Sequence, residues 1–331
     1  MAQIAAPRPL LRSNARILGL FLAASLALGL GLRLLEPGRI PALQNFFLVS
    51  GSLLIEAIPF VLIGAVVSSA IEVFVPVRFF EKIARLPKGL QLPAAGLAGM
   101  AFPVCECGSV PVARRMASKG LTPAAAITFM LASPILNPIV IASTVVAYRG
   151  RDTLLPIVAG RLGLGLLAAL AVGWVIAKQT PTDLLRPRPD DEIEHHGPGR
   201  WRAFFGHVSS DFLFMGRYLV FGAAVAGAMQ TVIPQSVLGS IAGTPVVDAL
   251  VLMGLAFLLS LCSESDAFVA ASFVQFGVGA QLAFLVFGPM VDVKLGFLYR
   301  GTFSKGFLKT VVLVVGAVTL AGTLWVQVLA G

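Results

Sequence analysis

The sequence predicts an all-α polytopic membrane protein, and composition, segment length and charge placement all indicate that fold class. Hydrophobic residues make up 57% of the 331 residues and charged residues 12%, whereas a soluble domain carries about 25% charged residues. Too few polar residues exist to cover a soluble protein of this size, so the apolar surface is expected to face lipid. The net charge of +9 is typical of basic cytoplasmic loops beside anionic lipid.

The apolar segments predict about 7–9 membrane helices, because a helix needs about 20 apolar residues to cross the hydrocarbon core. The first follows Arg8, Arg12 and Arg16 like a signal peptide, but it lacks a small-residue cleavage site. It is therefore predicted to be an uncleaved helix with a cytoplasmic N-terminus. The segments are 17–35, 46–75, 91–117, 122–147, 154–177, 208–233, 246–277, 281–299 and 308–329.

The order of the segments predicts five regions. They are an N-terminal helix and connection (1–45), a first transmembrane repeat (46–177), a hydrophilic linker (178–207), a second repeat (208–305) and a C-terminal helix (306–331). The linker is rich in proline and acidic residues, which indicates a flexible, solvated segment. Its His195-His196 pair could bind a metal, but no spacing in the linker defines a geometry for one.

Charge placement indicates that two segments enter the membrane and return on the same side. Basic clusters at 78–88 and 114–119 flank the third segment, so a simple crossing would put them on opposite sides, against the positive-inside tendency. Pro103, Gly108 and Pro111 break that segment, and residues 261–266 break the seventh in the same way. Seven crossings with two re-entrant hairpins are therefore predicted, and nine plain crossings are the alternative.

The two halves also resemble each other in sequence. Residues 60–67 parallel 218–225, residues 105–109 align with 262–266, and 129–134 align with 284–289, which places Asn137 on Asp292. With re-entrant hairpins, three crossings separate equivalent points, so the repeat is predicted to be inverted. Secondary transporters commonly pair broken helices in that way, whereas nine plain crossings would make the repeats parallel.

Polar residues in and after the breaks are the candidate site, since a carboxylate or carboxamide inside a bilayer is costly. The alternative for Glu106 is a structural carboxylate held by helix N-terminal amides, and Asp292 with Lys294 could be a neutralising pair. The candidate substrate-binding residues, without the thiols, are Glu106, Ser109, Asn137, Glu264, Asp266 and Asp292.

The three cysteines add a more specific expectation. Cys105, Cys107 and Cys262 are the only cysteines, and they lie in the two equivalent breaks at spacings that form no disulfide framework. Thiolates select soft ions and also bind trivalent arsenicals, so the three predict a metalloid site in contact with the substrate. Neighbouring carboxylates could accept the protons that bound thiols release. The alternative is that buried cysteines are merely small apolar residues.

No pattern indicates an enzyme, a cofactor or a nucleic-acid partner. The chain has no phosphate loop of the GxxxxGK[ST] type, and no basic run carries interleaved aromatic residues. The expected partners are the lipid bilayer, a small solute and protons.

Four stretches resemble the predicted permease family that includes the ArsP organoarsenical efflux permeases and the YraQ-type proteins. They are 102–111, 132–138, 261–268 and 288–294, and the similarity covers roughly 46–305. The resemblance implies an inner-membrane permease, with export of trivalent organoarsenicals as the best-described activity. Glu106 stands where many relatives carry a small residue.

The sequence thus predicts a proton-coupled efflux permease for a thiophilic solute such as a trivalent organoarsenical. Cys105, Cys107 and Cys262 would coordinate the solute while the carboxylates handle protons. One alternative is a permease for a divalent metal or a small anion with incidental thiols, since helix N-termini at two opposed breaks suit an anion. Another is a membrane subunit that does not itself transport.

Overall fold

The computed structural model describes residues 41–101, 104–187, 199–232 and 244–330. Within these ranges the chain is α-helical, and its one β-type pairing is an isolated bridge between Leu185 and Phe303. The predicted all-α class is therefore confirmed. The predicted first helix at 17–35 and the His195-His196 pair lie outside the described residues.

Fourteen helices are numbered here in chain order through the described residues. A 3₁₀ turn, Gly99–Ala101, follows the third. They are α1 Pro41–Phe74, α2 Val77–Ala84, α3 Lys88–Ala98, α4 Glu106–Ser118, α5 Pro123–Leu136, α6 Pro138–Ala147, α7 Leu154–Ile176, α8 Pro181–Leu184, α9 Arg200–Val232, α10 Pro245–Leu259, α11 Asp266–Ser272, α12 Val278–Phe287, α13 Val293–Thr302 and α14 Phe307–Ala330.

Five apolar spans in the described part of the chain are long enough to cross a membrane, which confirms a multi-pass membrane protein. Helices α1, α7, α9 and α14 each provide one, and α5 with α6 provides the fifth, Pro123–Ala147. Helices α10 and α12 are apolar but shorter. The total number of crossings stays a prediction.

Four breaks interrupt these segments, of which the sequence predicted two. The expected breaks separate α3 from α4 and α10 from α11. In the second of these, Ser260 adopts a left-handed conformation with φ of 49°. The two unpredicted breaks fall at Asn137, between α5 and α6, and at 288–292, between α12 and α13. Asn137 and Asp292 each cap the helix that follows with a side-chain oxygen, which favours a new helix start there.

Helices α3 and α4 form a hairpin whose two ends lie together. The Thr122 hydroxyl just before α5 donates to Gln91 Oε1 near the start of α3, at 2.9 Å. Gly99, past the end of α3, closes on the backbone of Ser133 near the end of α5, so α3 runs alongside α5 in the same direction. Helix α4 then leads back to Thr122, so α4 runs in the direction opposite to α3.

The second broken unit, α10 with α11, ends at the opposite end of the molecule. Gln281 Nε2 donates to the carbonyl oxygens of Phe273 and Phe276, and Gln281 Oε1 accepts from the Tyr148 hydroxyl. Arg151 Nη1 donates to the Ala271 carbonyl at 2.7 Å. Tyr148 and Arg151 follow α6, so this end lies away from the Thr122 end.

Helices α5 and α12 form the core, and four long helices surround them. Every residue of α5 is buried. This is expected of a helix that is apolar on all sides, because it has no polar face to present to solvent. The surrounding helices expose large apolar side chains such as Leu155 and Trp174, each 75% exposed. That pattern suits helices between lipid and a protein core.

The start of the hydrophilic linker, at residues 184–186, packs against the end of α13. The sequence had instead predicted a solvated segment. The Arg186 N–H donates to the Thr302 carbonyl at 3.0 Å, and the Ser304 N–H donates to the Leu184 carbonyl at 2.8 Å. Leu184 is fully buried, so an apolar anchor holds this stretch against the end of α13. Helix α9 already begins at Arg200, eight residues before the apolar segment read from the sequence.

Candidate functional site

The two predicted breaks meet at the centre of the helix bundle. The Ser263 hydroxyl, in the second break, donates to Glu106 Oε2 at the start of α4, at 3.0 Å. Both residues are buried, with Glu106 2% exposed. The structure therefore joins chain segments 157 residues apart through a carboxylate inside an apolar bundle.

Lys294 and Asp292 complete a charged cluster with Glu106. Lys294 Nζ lies 3.9 Å from Glu106 Oε1 and 3.9 Å from Asp292 Oδ2, which is too far for a direct hydrogen bond. Asp292 Oδ1 accepts from the Leu295 N–H at 2.6 Å. Among the described residues, Glu106 Oε1, Asp292 Oδ2 and Lys294 Nζ have no hydrogen-bond partner. Buried charges without hydrogen bonds are costly, so stability alone does not account for the cluster.

A second carboxylate and one thiol lie beside Glu106. Ligand atoms of Glu106, Cys262 and Glu264 all lie within 4.8 Å of one another. Both carboxylate oxygens of Glu264 lack a hydrogen-bond partner in the described structure. The neighbouring Ser265 hydroxyl donates to Glu56 Oε1 at 3.0 Å, which brings a third carboxylate, from α1, to the second break.

Asp266 is held by an arginine that sequence reasoning missed. Arg161 Nη2 of α7 lies 2.8 Å from Asp266 Oδ2 and donates to the Ser263 carbonyl at 3.1 Å. Arg161 Nη1 donates to the Thr144 hydroxyl at 2.9 Å, and Arg161 is 2% exposed. A lone arginine within the apolar segment 154–177 was the available signal. Asp266 is thus neutralised, and its pair with Arg161 holds the second break in position.

The three thiols are free and buried, but they do not make the compact three-sulfur group that the sequence suggested. Cys105 is the N-cap residue at the start of α4, and Cys107 lies in its first turn. Cys262 instead joins Glu106 and Glu264 in the compact group of ligand atoms found in the described residues.

Asn137 and Asp292, aligned in the sequence, have the same local role. Asn137 Oδ1 accepts from the Ile139 N–H at 2.9 Å at the start of α6, as Asp292 does at the start of α13. Asn137 Nδ2 is buried without a hydrogen-bond partner in the described structure. Each side chain therefore caps the helix that follows its break. Each also has one polar atom without a hydrogen-bond partner in the described structure.

The structure gives Ser109 a packing role. Its hydroxyl lies 3.0 Å from the Met130 carbonyl of α5 and 3.0 Å from the Glu106 carbonyl of its own helix, so its one proton is shared between two acceptors. The Met130 carbonyl would normally accept from the residue four positions on, which is Pro134 and has no N–H. Ser109 therefore satisfies a buried acceptor that a proline has released.

A second buried charged group joins α4 to its neighbours near the ends of the first hairpin. Arg115 lies 3.6 Å from Asp211 and 3.9 Å from Glu72, and its Nη2 is 3.3 Å from His207 Nδ1. Arg114 Nη1 donates to the Thr302 carbonyl at 3.3 Å. The two arginines were interpreted from the sequence as part of a loop cluster, but both are buried. Asp211 was missed altogether.

These features define a class: a multi-pass helical membrane protein whose broken helices enclose a polar centre. A family model described as "Predicted permease", ArsP_1, matches residues 42–328, and the chain belongs to this family. The resemblance read from the sequence is therefore confirmed.

Two relatives show how far the similarity extends. The chain is 41% identical to UPF0718 protein YcgR of Bacillus subtilis over 288 residues, which cover 83% of this chain and 95% of the relative. It is 34% identical over 262 residues to a Streptococcus mutans protein named as a two-component membrane permease complex subunit, covering 78% of this chain and 86% of that protein. No solved structure matches the chain.

Proposed function

We propose that this permease exports a small thiophilic solute, such as a trivalent organoarsenical, through the centre where the two breaks meet. The observation that carries the proposal is the Ser263–Glu106 hydrogen bond between the breaks, with uncommitted charged atoms beside it. Polar groups at the meeting point of paired broken helices are the usual site of secondary transporters.

The positions of the hairpin ends support two inverted, re-entrant units. The ends of α3 and α4 lie together at the Thr122 end of α5, and α11 ends near Tyr148 and Arg151 at the other. Two units that enter from opposite ends match the inverted arrangement inferred from the charge pattern. Each unit would then bring its break to the centre without crossing.

The thiols supply the chemistry that a trivalent arsenical requires. A mono-substituted arsenical exchanges two oxygen ligands for two thiolates, and Cys105 and Cys107 both lie at the start of α4. Glu106 lies between them in sequence, and Glu264 is near Glu106. The two oxygen ligands leave as water, and these carboxylates could relay the thiol protons to them.

Resistance and transport assays test the proposal. Cys105→Ser and Cys107→Ser are each expected to lower arsenical resistance of a sensitive strain to the level without the permease, while Ser143→Ala serves as control. The Ser143 hydroxyl donates to its own helix. Unchanged resistance in both Cys→Ser variants would exclude the thiol role. Everted-vesicle uptake with an arsenical, zinc and phosphate would then distinguish the other solute classes.

The Streptococcus mutans relative adds the question of a partner, since its name places it in a two-component complex. We favour transport by this chain over a non-transporting subunit, because buried carboxylates at the centre give a scaffold no advantage. Uptake by the purified chain in liposomes tests this. Uptake that requires a co-purified second protein would instead support a two-component permease.

A further inference from the structure

We propose that Glu106, Cys262 and Glu264 form a binding site for a soft divalent cation of the zinc class, and that Lys294 is the internal cation which the bound ion displaces. The inference rests on the proposed function in one respect, because it takes the same central site as the place where a solute binds. It departs from the arsenical by using carboxylates and one thiol in place of two or three thiols.

The geometry and the ligand types suit such an ion. The three ligand atoms lie within 4.8 Å of one another, and they come from both breaks. Zinc binds sulfur at about 2.3 Å and carboxylate oxygen at about 2.0–2.2 Å in tetrahedral sites, which spaces the ligands about 3.5 Å apart. Magnesium and calcium prefer all-oxygen sites.

A second observation that supports the cation site is that buried carboxylate oxygens there have no hydrogen-bond partner in the described structure. Glu106 is 2% exposed, and its Oε1 has no hydrogen-bond partner in the described structure, while Oε2 is held by Ser263. Both oxygens of Glu264 are also without a partner there. Buried polar atoms are nearly always hydrogen-bonded, so three free carboxylate oxygens beside a thiol indicate a site that awaits a cation.

Lys294 gives the site a built-in competitor. Its ammonium lies equally far, at 3.9 Å, from Glu106 and from Asp292. A divalent ion at Glu106 would repel the ammonium, and Asp292 offers it a second position on the same helix. The backbone of Lys294 lies directly against Gly222 of α9, so the side chain can shift while its backbone stays in place.

Three protein ligands also leave a tetrahedral ion one open position. Structural zinc sites are closed by four protein ligands, whereas sites that exchange their ligand keep a position for water or substrate. A site that must release its ion after each cycle fits the open kind. The structure therefore favours a passing cation over a permanent one.

Cadmium titration of the purified full-length protein in nanodiscs tests the proposal, since thiolate–cadmium bonds absorb in the ultraviolet. We expect one ion per chain, displaced by zinc but not by magnesium or calcium. Cys262→Ser should abolish the absorption, and Glu264→Gln should weaken binding at least about tenfold. Lys294→Gln should tighten binding about tenfold. Ser143→Ala, which removes a hydroxyl that donates within its own helix, is the control and should keep the signal.

Two outcomes would overturn the cation site. One is a signal that survives Cys262→Ser and disappears in Cys105→Ser, which would leave the thiol pair of the proposed function intact. The other is saturable binding that Glu264→Gln does not change. The Glu264→Gln variant is expected to keep the fold, because Glu264 is only partly buried and its carboxylate has no hydrogen bond in the described structure. A loss of binding in this variant therefore does not reflect misfolding.

Discussion

Two buried cationic side chains at the centre, Arg161 and Lys294, differ in the number of hydrogen bonds that they donate. Arg161 donates to Thr144, to Ser263 and to Asp266, so its charge is paired and its position is set. Removing one partner of such a buried pair typically costs about 3–5 kcal/mol. Lys294 Nζ makes no hydrogen bond in the described structure and lies 3.9 Å from each of two carboxylates. Arg161 therefore suits a structural role, and Lys294 suits one in which charge moves.

Ser109 allows a packing role to be separated from substrate contact. Ser109→Ala should leave the Met130 carbonyl without a donor and lower the free energy of unfolding by about 1–3 kcal/mol. Pro134→Ala restores an N–H four residues after Met130, so Ser109→Ala should cost less in that background. Thermal unfolding of the four proteins of this double-mutant cycle in detergent measures the coupling.

The sequence-based expectation for Ser109 was substrate contact, and the cycle also tests it. Ser143→Ala is the control, since it removes a hydroxyl that donates to its own helix. If Ser109→Ala kept full stability but lost substrate binding, the packing role would be wrong. Equal costs of Ser109→Ala with and without Pro134 would contradict it as well.

At the scale of elements, the first hairpin is held in place by a close crossing of α1 and α4. A Cβ at Gly64 would stand 2.4 Å from the Gly108 Cα, and one at Gly108 would stand 3.0 Å from the Phe60 carbonyl oxygen. Backbone lies on both sides, so no side chain can move away to make room. Small residues at such crossings let membrane helices approach closely.

Gly64→Ala is expected to destabilise the protein by about 1–3 kcal/mol, because α1 and α4 must separate. Gly51→Ala, in the same helix, is the matched control, since its Cβ would meet nothing within 4 Å. Alanine is the better helix former by about 1 kcal/mol, so the control should be neutral or stabilising. Detergent unfolding midpoints compare the two, and equal midpoints would exclude a tight crossing.

At the scale of the whole molecule, most of the exposed basic residues in the described part of the chain lie at the end where α3 begins and α4 ends. Lys82 and Arg85 belong to the short connection there, while Arg149 and Arg151 follow α6 at the other end. The chain's three tryptophans, Trp174, Trp201 and Trp325, are all exposed on helices, as expected for side chains at the membrane interfaces. The charge bias predicts that the hairpin end faces the cytoplasm.

Cysteine labelling tests that orientation, because the three native thiols are buried and the unmodified protein is its own control. A membrane-impermeant maleimide should label Arg149→Cys but not Lys82→Cys in intact cells. Everted vesicles should give the reverse pattern. Both native positions are exposed, so failure to react reports sidedness. The opposite pattern would contradict a cytoplasmic hairpin end.

The sequence by itself determined the all-α membrane class, the family, the two breaks with their cysteines, and most of the carboxylates at the centre. These follow from local properties: the length of apolar segments, prolines within them, and charged residues where lipid or protein core is expected. The breaks at Asn137 and at 288–292 were missed, because a helix-capping side chain looks like any polar residue until its backbone partner is known.

Only the tertiary structure decided which of these residues meet. It paired Asp266 with Arg161, placed Lys294 between two carboxylates, and grouped Cys262 with Glu106 and Glu264 apart from the other thiols. It also docked the start of the linker on the end of α13. The physical reason is that contacts between residues more than a hundred positions apart depend on how whole helices pack, which no local pattern in the chain encodes.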